Sequence, residues 1–157
     1  TPDLLLAATE YLWRKHRYGD PIGAADFIIG RVLFAAIFIN SAVGHFAARE
    51  AMTGYAKSKK VPAAGAAVVS SGVLILLGAV SLLLGFYPDL GALALIVFLV
   101  PAAFLMHNFW GESEPMARMN ELIAFLKDLG LAGASLLILL MLQSGADFGP
   151  MLTDLFF

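Results

Sequence analysis

Few residues of this sequence are equipped for chemistry inside its apolar segments. The candidates are Ser41 and His45, His107 and Asn108, and Lys127 with Asp128. An imidazole titrates near neutral pH and can relay a proton or hydrogen-bond a carbonyl oxygen. A Lys–Asp pair can stay charged in a low dielectric if it is paired and hydrogen-bonded. Together these groups suit the polar head of a quinone-like molecule whose tail lies among apolar side chains. The competing reading is structural: His45 and His107 stand near the ends of apolar runs and can meet interfacial water, and Lys127 can snorkel to the surface. Metal binding has little support, since two histidines find no third ligand at useful spacing. The absence of cysteine removes thiolate sites, iron–sulfur ligation and cysteine nucleophiles. Neither histidine-bearing segment carries a second histidine for a paired haem arrangement. A Gly-rich phosphate loop, a GxSxG elbow and an HExxH helix are also missing. A net charge of −2 gives no nucleic-acid signal.

The elements that must position these groups are long apolar runs. Hydrophobic residues make up 60% of the chain and charged residues 14%, too much apolar surface for a chain of 157 residues to hide from water. Lipid is the natural solvent. Crossing a hydrocarbon core of about 30 Å takes around 20 residues in a helix. Four runs meet this: 27–46, 63–86, 90–109 and 122–142. They are continuous rather than alternating and too long for barrel strands, so backbone bonding in lipid makes them helices. Connections are short, with 49–60, 87–89 and 111–119 as loops, which makes sequential helices antiparallel neighbours. The fold expected is all-α, an up-down four-helix membrane bundle over 26–143. A segment over 1–25 precedes it and a tail over 144–157 follows. In the first segment Leu4, Leu5, Ala8, Tyr11, Leu12 and Trp13 precede Arg14, Lys15 and Arg17, which reads as an amphipathic interfacial helix. Its apolar run is broken at Glu10, which argues against a cleaved leader. The tail, ending Leu155-Phe156-Phe157, is expected to lie along the membrane or to dock on a partner.

Helix direction then sorts the polar residues. Let side A hold both termini and the 87–89 turn, and side B the other two loops. Asn40, Ser41, His45, Ser70, Ser71, His107, Asn108, Lys127 and Asp128 all fall in the side B half. On the first span Arg31, Ala35, Phe38, Ala42 and His45 step by four, three, four and three, and so share one helical face. Arg31 and His45 are about 21 Å apart along it. On the second span Ala64, Ser71, Gly78 and Gly85 recur every seven residues, a small-residue seam for close helix approach; Gly130 and Ala134 read likewise on the fourth. Pro101 should kink the third span near His107. Trp13, Phe86, Tyr87 and Trp110 should mark the headgroup belts. Side B carries Arg49, Lys57, Lys59, Lys60 and Arg118 against Arg14, Lys15 and Arg17 on side A, which leans side B towards the cytoplasm.

Over about 27–142 the sequence resembles the DoxX-like membrane proteins. The matching pieces are Arg31 with the run ending Phe38-Ile39-Asn40-Ser41-Ala42-Val43-Gly44-His45, then Met52, Tyr55-Ala56, Ser58-Lys59 and Val61-Pro62. Further along come Ser71-Gly72-Val73-Leu74, Gly78, Leu83-Leu84-Gly85, His107-Asn108-Phe109-Trp110, and Met119 with Phe125-Leu126-Lys127-Asp128-Leu129. The resemblance implies a four-helix protein of the bacterial inner membrane, linked to thiosulfate or quinone redox chemistry and to soluble enzyme partners. Where family members often carry a glutamate early in span two, this chain has Ser70-Ser71-Gly72, and their usual asparagine after the lysine is Asp128 here. Three functions follow as expectations. The first is an accessory, non-catalytic subunit of a larger membrane complex, with other membrane subunits as partners. The second is a quinone-interacting subunit of an oxidoreductase, with quinone or a lipid as the bound molecule. The third is a small-molecule transporter, resting on the Arg31–His45 face.

Overall fold

A computed structural model describes Leu6, Thr9, Glu10 and residues 23–157. The interfacial helix expected over 1–25, with Trp13, therefore lies almost wholly outside the described residues. The elements are α1 (Ala24–Ala47), α2 (Arg49–Ser58), α3 (Ala64–Leu84), α4 (Pro88–Met106), a single 3-10 turn (Phe109–Gly111) and α5 (Pro115–Gln143). The four long helices α1, α3, α4 (with the 3-10 turn) and α5 are long and apolar enough to cross a membrane. Side chains such as Leu33 (71% exposed), Leu77 (63%) and Leu137 (63%) cover the outside, a surface that suits acyl chains and not water.

Helix ends follow local chemistry. Asp26 in the first turn of α1 accepts the Gly23 N–H at 2.9 Å. Gly85 ends α3 in the left-handed conformation (φ 66°), and Pro88 opens α4 at a position where a missing N–H costs nothing. α5 starts seven residues before the sequence reading placed it. Glu114 caps it, its carboxylate accepting from Met116 at 3.0 Å and Ala117 at 2.6 Å, with Pro115 next. Those two amide bonds hold the Glu114 carboxyl below its ordinary pKa. Its contribution is thus present above the unfolded-state value and lost as pH falls through the lower folded value. Amide exchange at Met116 and Ala117, corrected for intrinsic rates, should speed up in acid relative to neutral pH, and Glu114→Gln should flatten that dependence.

α1 pairs with α3, α3 with α4 and α4 with α5, whereas the backbones of α1 and α5 hardly approach each other. The core is buried among Phe38, Ile75, Leu82, Leu95 and Leu99. The face read on α1 is the one that folds inward: its buried residues are Arg31, Ala35, Phe38, Ala42 and His45. α4 runs on through Pro101 to Met106. The stretch 49–60, expected as a loop, is largely the helix α2. It seats Ala56 against Ala64 and Val68 of α3 at the side B end. The four heptad-spaced positions of α3 meet different neighbours. Ala64 faces this α2 contact, and Ser71 donates to the Val68 carbonyl at 3.1 Å. A Cβ on Gly78 would lie 2.9 Å from Leu95 Cδ2, and Gly85 forms the turn. Among the described residues nothing stands where a Cβ on Gly130 would lie, so no described helix approaches it closely.

The tail docks on the chain's own bundle, at side A. Arg31 donates to the carbonyls of Pro150 (2.6 Å) and Phe148 and stacks 4.3 Å over the Phe148 ring. The Gly85 carbonyl accepts from Leu152 at 2.9 Å, and Thr153 Oγ1 accepts from the Tyr87 N–H at 2.7 Å. Fully buried Asp89 accepts from Phe156 at 2.7 Å and Phe157 at 2.9 Å. Arg31 is thus committed to tail carbonyls. Hydrogen bonds to a charged group contribute about 1.5–3 kcal/mol each. Arg31→Met should therefore release the tail, seen as protease cleavage within 144–157 that spares the spans; a tail as resistant as in the wild type would contradict this clamp.

Candidate functional site

At side B the sequence-predicted groups converge from three helices. On α1 the His45 ring lies 2.8 Å, through Nδ1, from the Ser41 carbonyl oxygen. A carbonyl oxygen only accepts, so Nδ1 carries the proton, and Nε2 has no partner among the described residues. Phe98 of α4 holds the ring edge-on at 6.0 Å. Gly72 lets α3 come this close: a Cβ there would lie 2.8 Å from His45 Cβ.

His107 follows the last turn of α4 and stands between two carboxylates of α5. Its Nδ1 is 2.9 Å from Glu121 Oε2 and its Nε2 is 3.5 Å from Asp128 Oδ2. Asp128 is buried, and Lys127 Nζ lies 3.8 Å from its Oδ1 while the lysine side chain remains half exposed. Glu121 and Asp128 are seven residues apart, two helical turns, and so share a face of α5.

Glu121 is itself the centre of a network that ties α2 down. The Tyr55 hydroxyl donates to Glu121 Oε1 at 2.6 Å. Lys59 donates to Asn108 Oδ1 at 2.8 Å and lies 3.3 Å from Glu112 and 3.4 Å from Glu121. Burial works against the Lys59 charge, but Glu112, Tyr55 and Glu121 outweigh it and hold its pKa above the ordinary value. Burial and then the bond to Glu121 push the Tyr55 hydroxyl up. The lysine therefore remains a cation throughout the neutral range and the phenol remains a donor.

Below this network lies a cavity of about 630 Å³. Its polar lining is Ser41, His45, Tyr55, Ser70, Ser71, His107, Lys127 and Asp128, all towards side B. The rest is apolar, including Phe38, Leu74, Phe98, Leu99 and Leu131, and Pro101. Having no N–H, Pro101 leaves the carbonyl of Val97, another lining residue, without its helical donor. The cavity extends from Ile37 and Ser41 on α1 to Lys127 and Leu131 on α5, the two helices whose backbones stand apart.

Five of the six predicted site residues thus line one space: Ser41, His45, His107, Lys127 and Asp128. Asn108 does not; the chain leaves the helix at His107, and the Asn108 side chain turns to Lys59. Glu121 was missed, because the fourth span was begun at Leu122. The dipeptide Glu114-Pro115, an acceptor followed by proline at the first helical position, was the signal for the earlier start. Among the described residues no group of three or more His, Asp or Glu side chains is arranged to hold a metal ion.

A family model described as DoxX matches residues 27–108, just over half the chain. No curated protein and no solved structure gave a match.

Proposed function

This chain belongs to the DoxX family of membrane proteins, and from that membership we propose that it is an accessory membrane subunit that holds a quinone-like molecule for a partner redox enzyme. The cavity carries the reading. A quinone takes up two electrons and two protons at its two carbonyl oxygens, so a protein site for it needs apolar room for a tail and proton-exchanging groups at the head. The apolar lining supports the first need. The second is met by His45 Nε2, which accepts from a hydroxyl when the ring is neutral, by the Lys127 ammonium as a donor, and by the His107–Asp128 pair. Electrons would come from the partner, since the sequence has no cysteine for clusters and no paired histidines for haem. The family resemblance supports the inner membrane of a bacterium, and the excess of lysine and arginine supports side B at the cytoplasm.

The test is isolation from native membranes in a gentle detergent, with mass spectrometry of the proteins and extracted lipids. A stoichiometric redox subunit together with a quinone is expected. A protein that comes alone with a quinone keeps the site and removes the accessory role. A protein that carries neither overturns both.

A further inference from the structure

We propose that His107 and Asp128 together form a one-proton site facing the cavity, and that Glu121 is its positioning residue; the exchange of that proton with a ligand rests on the quinone-site reading above.

An ionised carboxylate can only accept a hydrogen bond. Both ring nitrogens of His107 face carboxylates, at 2.9 Å (Glu121) and 3.5 Å (Asp128). Glu121 already receives the Tyr55 hydroxyl at 2.6 Å and has the Lys59 ammonium 3.4 Å away, so it is held as the anion. It therefore fixes a proton on His107 Nδ1. That leaves one open choice, between Nε2 and Asp128 Oδ2. One proton there gives either imidazolium with carboxylate or neutral imidazole with carboxylic acid; without it, an imidazole lone pair faces a carboxylate. At 3.5 Å the pair is at ion-pair distance, and a shift of about 0.5 Å makes it a hydrogen bond.

The surroundings favour exchange with the cavity. His107 and Asp128 both line it, with Lys127 beside Asp128 and His45 across on α1; α3 contributes only the uncharged Ser70 and Ser71. Tyr55, which also lines the cavity, and Lys59 meet Glu121, and Glu112 meets Lys59. In the exchange, the Asp128 O–H bond breaks as an O–H bond forms on a reduced quinone oxygen. Where the proton sits on His107 Nε2 instead, it passes first to Asp128, the N–H bond breaking as that O–H bond forms. The reverse steps receive a proton from a quinol hydroxyl. The arrangement parallels a carboxylate that sets the tautomer and orientation of a catalytic imidazole.

The experiment uses the full chain in lipid nanodiscs without added ligand. ¹⁵N spectra of the His107 ring are followed with pH, with the infrared carboxyl band of Asp128. In the wild type, Nδ1 should stay protonated while Nε2 and the carboxyl band titrate at the same midpoints, as coupled groups do. Asp128→Asn should move the His107 midpoint at least one pH unit lower. Glu121→Gln should let Nδ1 lose its proton in part of the molecules, a change that a merely structural role would not produce, and Glu121→Asp should restore it. A His107 titration unmoved by Asp128→Asn, or a tautomer unmoved by Glu121→Gln, overturns the proposal. A second arm adds a decyl-substituted benzoquinone. Coupled titration without binding of this probe defeats the quinone reading alone, and binding with uncoupled titration defeats the one-proton site alone.

Discussion

Replacing His107 by Gln and Asp128 by Asn together is expected to weaken binding of a decyl-substituted benzoquinone at least tenfold, with the fold intact. Both changes preserve shape and hydrogen-bonding capacity while removing the groups that titrate. Bonds to ionised groups contribute about 1.5–3 kcal/mol, and 1.4 kcal/mol corresponds to a factor of ten. The buried carboxylate would also no longer sit beside Lys127, so that ammonium loses its 3.8 Å partner and turns outward. Titration calorimetry in nanodiscs would read the affinity, and helical circular dichroism would establish folding. Unchanged affinity in a folded double variant would mean that these residues do not touch the head of the ligand. His45→Gln tests the other end: if His45 Nε2 accepts from a hydroxyl, that variant should weaken the quinol more than the quinone.

The second large effect is on the fold. Gly91→Ala should destabilise the bundle by about 3 kcal/mol, although the same change at Gly133 should be neutral or slightly stabilising. At Gly91 a Cβ would come 2.7 Å from Ser81 Cβ and 3.0 Å from the Gly78 carbonyl oxygen, so α3 and α4 must move apart. Overpacking of that kind costs about 1–3 kcal/mol. Ser81 would be pushed from the turn it secures, where its hydroxyl lies 2.7 Å from the Phe86 carbonyl and 2.9 Å from that of Tyr87, and a lost hydrogen bond costs about 1 kcal/mol more. Among the described residues no neighbouring atom lies within 4 Å of a Cβ at Gly133, and alanine is the better helix former by up to about 1 kcal/mol. Thermal melts of the two variants in one detergent give the comparison. Equal stabilities would show that α3 and α4 are not in such close contact.

The spans were legible because a run of about 20 apolar residues is too long for a buried strand and too apolar for a helix that faces water. The inward face of α1 was legible because Arg31 and His45 are costly in lipid and fall on one stripe with Ala35, Phe38 and Ala42. α2 was not, since Arg49, Glu50, Lys57 and Lys59 look like a solvated loop until Tyr55 and Lys59 find partners 49 to 66 residues away. The tail was illegible for a different reason. Arg31 binds backbone carbonyls at Phe148 and Pro150, and carbonyls leave no mark in a sequence. Convergence of Ser41, His45, His107, Lys127 and Asp128 followed from antiparallel direction, but direction says nothing about rotation about the helix axis or about where a helix stops. Asn108 and Glu121 were both lost on the second count, since α4 ends at Met106 and α5 begins at Pro115.

The separation of α1 from α5 bears on how affinity should be expressed for this protein. A quinone, if it is the ligand and enters between α1 and α5, would arrive from the bilayer rather than from bulk water. What it samples is a two-dimensional reservoir in which a partitioned quinone is strongly enriched. The site then needs only modest intrinsic affinity, and an apparent Kd in molar units would drift with the amount of lipid in the assay. The invariant quantity would be a mole fraction in the membrane, and occupancy would follow the redox poise and size of the quinone pool itself.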